Sequence, residues 1–251
     1  MKKSNNKAAA EAITVNRRRL LNNDAPFAMK EAYVKLRTSL MFCMTADKAR
    51  PCKTFAVTSA KPSEGKSLTA ANIAISYAML GKRVLLIDAD MRKPTQRRLW
   101  KVELSTGLCD YLAKIWQLEL AKVTELPLWI VCTGTIPPNP TELLSAPMTE
   151  KIFASLQKAF DYVIVDTPPV SLVTDAAVLC RMADGVLLVV RPGVTTIQSA
   201  QLSKKNLEAV NAHILGVVMN GYNGKQSGRR DGYSYAYSYS YYDEDKKGND
   251  A

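Results

Sequence analysis

Short β-rich apolar runs punctuate the chain from residue 54 onward: Thr54 to Ser59, Arg83 to Asp88, Leu128 to Cys132, Asp161 to Asp166, Gly185 to Arg191 and Ile214 to Met219. Segments of helical length separate them. Lys66 to Leu80 carries Leu68, Ala71, Ile75, Ala78 and Met79 at helical offsets, and Thr195 to Ala212 reads as a further helix. Strands joined by helix-length crossovers need a parallel sheet covered on both faces, because each connection has to return over the sheet surface. The expected fold is therefore an α/β domain built on a doubly wound parallel sheet. Ahead of it, Phe27 to Met44 places Met29, Ala32, Tyr33, Leu36 and Leu40 at offsets of three and four, an amphipathic helix that lies on its own domain or on a neighbour.

With 251 residues, 47% apolar and 23% charged, the chain suits one large domain and excludes disorder throughout. Its apolar runs fall far short of the roughly 20 residues a membrane span needs. Met1 to Arg19 is polar and basic without an apolar h-region, so a cytoplasmic location is expected. Cys43, Cys52, Cys109, Cys132 and Cys180 form no C-x-x-C pair, and His213, the single histidine, has no ligand partner nearby. These residues argue against zinc or a disulfide framework and read as reduced packing groups. The formal charge of +11 is uneven: Arg92, Lys93, Arg97, Arg98 and Lys101 crowd together without a carboxylate. Such a face suits nucleic acid, anionic lipid, an acidic protein segment, or plain solvation.

The run Thr54 to Ser59 leads into Ala60-Lys61-Pro62-Ser63-Glu64-Gly65-Lys66-Ser67 and then a helical pattern, the context that a P-loop requires. Backbone N–H groups of such a turn cradle phosphates, the lysine neutralises the β and γ oxygens, and the hydroxyl joins a Mg²⁺ shell. Ala60 stands where the motif has its first glycine. Asp88 and Asp90 close one apolar run and Asp166 another. Carboxyl ends of parallel strands are where ligands sit, although each Asp alone also suits a helix cap or turn.

Together these segments resemble the bacterial tyrosine kinases of capsular and exopolysaccharide synthesis, from about Glu31 to the C-terminus. The matching pieces are the P-loop at 59–67, Leu-Ile-Asp-Ala-Asp-Met-Arg-Lys-Pro at 86–94, Ile-Pro-Pro-Asn-Pro-Thr-Glu-Leu-Leu at 136–144, Val-Ile-Val-Asp-Thr-Pro-Pro at 163–169, and a tyrosine-rich tail. The resemblance implies a P-loop NTPase fold binding ATP and Mg²⁺. It places Ser63, Glu64, Gly65, Lys66, Ser67 and Leu68 around the nucleotide, with Arg191 and Asn220 as further cofactor-binding candidates. Lys66, Asp88 and Asp90 are the catalytic candidates, Asp88 taking the tyrosine proton, and Ser67, Asp88 and Asp166 the metal candidates. Arg92 contacts phosphate or the acidic tail, or is a solvated charge. The family's Glu-x-x-Arg-x-x-Arg subunit motif reads Glu31-Ala32-Tyr33-Val34-Lys35-Leu36-Arg37 here, so Glu31 and Arg37 are the oligomerisation candidates for a ring-like homo-oligomer and Val34 replaces the first arginine.

The expected phosphoacceptors are Tyr233, Tyr235, Tyr237, Tyr239, Tyr241 and Tyr242, followed by Asp243-Glu244-Asp245. From Asn220 to Tyr237 the chain spans at most roughly 56 Å when extended, enough to reach a neighbouring copy. The expected organisation is a flexible basic arm over 1–24, a P-loop kinase domain over 25–221 with its N-terminal helix at 25–45, and a disordered tail over 222–251. The resemblance further implies protein tyrosine substrates and a membrane-anchored activator of the polysaccharide chain-length regulator type, docking through its cytoplasmic segment and holding the kinase at the inner face of the plasma membrane. The competing reading is a partition or positioning ATPase that binds DNA or membrane. Lys61 falls at the signature lysine of those proteins, but Pro62 and Ser63 replace their paired glycines and DNA is not an expected partner.

Overall fold

The computed structural model describes residues 19–45, 54–104, 106–114 and 118–222. Cys52 and the six candidate tail tyrosines lie outside them. Among the described residues the order is α1 (Phe27–Thr45), β1 (Thr54–Ser59), α2 (Lys66–Ala78), β2 (Val84–Asp88), α3 (Gln96–Trp100), α4 (Leu108–Leu112), β3 (Ala121–Lys122) and β4 (Leu128–Val131). Then follow α5 (Pro140–Leu144), α6 (Pro147–Ala159), β5 (Tyr162–Asp166), α7 (Thr174–Met182), β6 (Gly185–Val190), α8 (Ile197–Ala209) and β7 (Ile214–Met219). No described helix is long and apolar enough to cross a membrane.

The seven strands line up as β3-β4-β2-β5-β1-β6-β7, parallel except for the short antiparallel pair β3 with β4. From β1 the chain winds outward through β2 and β4, returns to insert β5 between β2 and β1, and winds the other way through β6 and β7. That reversal opens a crevice at the carboxyl ends of the central strands. Side chains alternate across the sheet. Val84 and Leu86 of β2 join Phe55, Val57 and Ile73 in the core beneath α1 and α2. Leu85 and Ile87 join Val163, Val165 and Phe153 on the opposite face. Burying such side chains contributes about 1.5–3 kcal/mol each, which fixes the register of the strands carrying the Asp residues.

The N-terminal helix lies on its own domain: Leu40 is buried, and Met29, Tyr33 and Leu36 pack against the core. Ala32, expected on that apolar stripe, is exposed because the stripe is narrower than the offsets suggest. Met79, expected on the buried side of α2, is 47% exposed because the helix has ended at Ala78 and the chain turns outward. Residues 19–24, expected as part of the flexible arm over 1–24, pack on the domain. Buried Asn72 of α2 accepts a hydrogen bond from Leu21 N at 2.9 Å and donates to Arg19 O at 3.0 Å, with Leu20 and Leu21 buried beside it. Residues 19–24 thus belong to the folded unit, which ends at Asn220. Among the cysteines, Cys109, Cys132 and Cys180 are buried, but Cys43 is exposed, correcting its assignment as a packing residue: it sits with exposed Met41 and Phe42 in the last turns of α1.

Candidate nucleotide and phosphoryl-transfer site

The P-loop joins central strand β1 to α2, so the N-terminus of α2 points into the crevice. Two residues of the loop adopt left-handed backbone, Ser63 at φ 65° and Gly65 at φ 96°. A Cβ on Gly65 would lie 1.9 Å from Asn220 Nδ2, so only glycine lets the loop close against the end of β7. Asn220 uses that space to donate to Glu64 O at 2.8 Å. The Glu64 carboxylate turns inward: Oε2 accepts from Lys61 N at 2.8 Å and Oε1 from the Thr195 hydroxyl. Its side chain braces the loop instead of facing a phosphate. Arg191 donates to Ser63 O at 3.4 Å from the exposed side. Leu68 packs its side chain against the core, leaving its backbone N–H in the first turn of α2 as the group available to an anion.

The acidic candidates meet because β2 and β5 are neighbours in register, with Asp88 opposite Asp166. Lys66, 8% exposed, extends between them: its Nζ lies 2.9 Å from Asp90 Oδ2, 3.4 Å from Asp166 Oδ1 and 3.2 Å from Ser67 Oγ. Burial disfavours the ammonium, but Asp166 and then Asp90 outweigh it and raise its pKa. Asp88, Asp90 and Asp166 therefore face one ammonium, an excess of negative charge that invites a further cation. Burial, with the nearby Asp166 charge, pushes the Asp88 carboxyl up to about 7. Burial also raises Asp166, against the opposing pull of Lys66 and Gln96.

Asp88 Oδ2 accepts from the backbone N–H groups of Thr95 and Gln96, both at 2.8 Å, while Oδ1 is buried with no partner. An orphaned carboxylate oxygen on the residue opposite Asp166 fits a hard divalent cation. Among the described residues, however, no group of three or more His, Cys, Asp and Glu side chains is placed to hold an ion by itself. Nucleotide oxygens and water would have to complete the shell, the usual arrangement for Mg²⁺ with phosphate substrates.

Sequence reasoning missed Gln96. It is fully buried, its Nε2 donates to Ser67 O at 2.9 Å and Asp166 Oδ2 at 2.8 Å, and its Oε1 accepts from Trp100 Nε1 at 3.0 Å. The available signal was its spacing: Gln96, Leu99 and Trp100 share one side of a short helical segment. Arg92, left open between phosphate, tail and solvent, is instead engaged with Asp175, at 2.6 Å through Nε and 3.3 Å through Nη2. Thr141 donates to the same carboxylate, and although burial works the other way, Arg92 and Thr141 hold the Asp175 carboxyl below its ordinary range. Arg37, the ring candidate, donates to Ser76 O at 2.7 Å and Ser76 Oγ at 3.1 Å, clamping α1 to α2 within the chain.

A family described as an AAA domain matches residues 52–215. The tyrosine-protein kinase YwqD of Bacillus subtilis (strain 168) is 42% identical over 193 residues, covering 76% of this chain and 80% of that one. The chain belongs to the bacterial tyrosine kinase family. In shape it is similar to the kinase domain of the Escherichia coli tyrosine kinase ETK, with a TM-score of 0.75 at 33% identity over 82% of this chain and 80% of that one. The MinD cell division protein of Aquifex aeolicus is a more distant neighbour, with a TM-score of 0.56 at 26% identity over 69% of this chain and 71% of that one. Sequence and shape thus both place the chain nearer these kinases than this ATPase.

Proposed function

We propose that this chain is an ATP-dependent protein tyrosine kinase that phosphorylates Tyr233, Tyr235, Tyr237, Tyr239, Tyr241 and Tyr242 of another copy of itself, in the service of capsular or exopolysaccharide synthesis. The observation that carries the reading is the convergence of Lys66, Ser67, Asp88, Asp90 and Asp166 beneath the P-loop, in a chain whose relatives are tyrosine kinases. Phosphoryl transfer asks a protein chiefly for positioning and charge neutralisation. Lys66 and the N–H groups from Ser63 to Leu68 bind the phosphates, the arriving anion drawing the ammonium away from Asp90 and Asp166. Ser67, Asp88 and Asp166 hold Mg²⁺, which when bound neutralises phosphate charge. The acceptor phenol oxygen bonds to the γ-phosphorus as the bond to the β–γ bridging oxygen breaks, and ADP leaves with that electron pair. The phenolic proton passes to the Asp88 carboxylate, which the Thr95 and Gln96 N–H groups hold in place. Asp90 keeps Lys66 in line, and Arg191 and Asn220 border the base.

In the same reading residues 19–221 are the kinase domain and 222–251 the substrate tail. A membrane-anchored activator's cytoplasmic segment recruits the protein to the inner face of the plasma membrane. Copies assemble through the helix bearing Glu31, with Arg37 bracing that helix from within. A mixing experiment tests the reading: an acceptor carrying Lys66→Met is combined, with Mg²⁺ and ATP, with a donor whose six tail tyrosines are Phe. Phosphotyrosine on the acceptor's tail is the expected result. Its absence, with the activator's cytoplasmic segment supplied, would contradict transfer between copies.

A further inference from the structure

The short helix α3 has two unlike sides. Inward, Gln96 and Leu99 are buried and Trp100 is half-buried. Outward, Arg97, Arg98 and the terminating Lys101 are exposed, and Lys93 is exposed on the loop before them. Among the described residues none of these four cations forms an ion pair, whereas neighbouring Arg92 is spent on Asp175. Glu103, the nearest carboxylate in sequence, is exposed and pairs with none of them.

This surface is fastened to the reacting groups. Lys93 N donates to Asp90 Oδ1 at 3.0 Å, Thr95 N and Gln96 N donate to Asp88 Oδ2 at 2.8 Å, and Gln96 Nε2 donates to Asp166 Oδ2 at 2.8 Å. A helix rises about 1.5 Å per residue, so Arg97, Arg98 and Lys101 all follow within about 8 Å of rise from Gln96, which touches both carboxylates. An acceptor whose hydroxyl reaches Asp88 has these cations within reach of its flanking residues. The chain's own tyrosine run is followed at once by Asp243-Glu244-Asp245. At about 3.3 Å per extended residue, carboxylates two to four positions beyond a reacting tyrosine reach about 7–13 Å from it, a distance comparable with the length of α3.

We propose that Lys93, Arg97, Arg98 and Lys101 form an acceptor-docking surface that selects tyrosines followed within a few residues by carboxylates. The inference rests on the kinase reading and deepens it by naming the substrate class. Tyr241 and Tyr242, with the acidic run directly downstream, react before Tyr233, which lies ten residues from it.

The test uses the full-length chain with its own Asp243, Glu244 and Asp245 replaced by Asn, Gln and Asn, so that its tail does not compete. A fluorescent peptide of residues 233–245 is titrated against it by anisotropy, without ATP. Substituting Arg97→Gln, Arg98→Gln and Lys101→Gln together should weaken binding about tenfold, since exposed ion pairs are individually modest. A peptide with Asn, Gln and Asn at 243–245 should bind both proteins equally weakly. Equal binding of the acidic peptide to both proteins, or equal binding of the two peptides to the unsubstituted surface, would overturn the proposal. So would loss of binding to phosphatidylserine vesicles or duplex DNA with peptide binding unchanged, which would reassign the surface to lipid or nucleic acid. In a phosphorylation assay the triple substitution should raise the peptide KM about tenfold and leave kcat and the ATP KM unchanged; a matching fall in kcat would contradict docking. If the unsubstituted protein, with the activator's cytoplasmic segment supplied, phosphorylates neither peptide, the kinase reading fails, and the anisotropy result still decides the docking surface.

Discussion

Replacing Gln96 by Leu keeps much of the side-chain volume but removes every polar atom that ties α3 to the site. The carboxylate oxygen of Asp166 that accepts at 2.8 Å loses its donor, and Asp166 is fully buried. Leaving such an anion short of a hydrogen bond costs about 1.5–3 kcal/mol, and the lost bonds to Ser67 O and Trp100 Nε1 about 0.5–1 kcal/mol each. Leucine's apolar atoms return about 1 kcal/mol. The net expectation is a loss of about 1.5–4 kcal/mol, read from the urea midpoint at unchanged m-value. Functionally, Asp166 loses a contact favouring its ionised form, and its pKa climbs further above ordinary. Mg²⁺-dependent enhancement of ADP affinity, followed by calorimetry, should fall at least about tenfold, while ADP affinity in EDTA changes little, because the P-loop amides are untouched. Gln96→Leu with unaltered stability and full Mg²⁺ enhancement would refute the assignment of Gln96 as the residue that positions Asp166.

Other outcomes follow from the same geometry. Gly65→Ala puts a Cβ against Asn220 Nδ2 and forces a left-handed alanine, costing about 1–2 kcal/mol in backbone strain alone; nucleotide binding by calorimetry should be lost, with the far-ultraviolet spectrum retained. Arg92→Ala leaves Asp175 buried without its cation, and because Arg92 is itself about half-exposed the expected loss is about 2 kcal/mol in a urea titration. The Asp88 carboxyl has its folded-state pKa raised to about 7 from an ordinary value near 4, so the folded protein binds the extra proton. Stability of the metal- and nucleotide-free protein from this group is greatest below about pH 4 and declines as pH rises to about 7. Thermal melts across pH 5 to 7.5 should show Asp88→Asn with a shallower decline than the unsubstituted protein; parallel profiles would contradict it.

The strands that carry the site were legible because their apolar runs end abruptly at charged residues. Asp88 and Asp166 close β2 and β5 where the sequence pattern places them, and the other main strands begin or end within a residue of the expectation. Their meeting was not legible. Chain order sets β2 nearest β1, and only the later insertion of β5 between them brings Asp166 opposite Asp88. Contacts between sequence-distant polar groups were likewise hidden: Glu64 with Thr195, Arg92 with Asp175, and Gln96 with Asp166 each join different crossovers. Antiparallel β3, at two residues, is too short to show any periodicity. Arg37 was assigned from a motif to contacts between subunits, and its geometry shows that the same guanidinium closes α1 onto α2.

The central claim is that Lys66 and the carboxylates around it transfer phosphate from ATP to tyrosine. Intact-mass analysis with peptide mapping, after incubation of the full-length protein with Mg²⁺, ATP and the activator's cytoplasmic segment, tests it most directly. The account predicts successive phosphate additions mapping to Tyr233 through Tyr242 in the unsubstituted protein and none in Lys66→Met. Phosphotyrosine in Lys66→Met, or an unchanged mass in the unsubstituted protein, would contradict it.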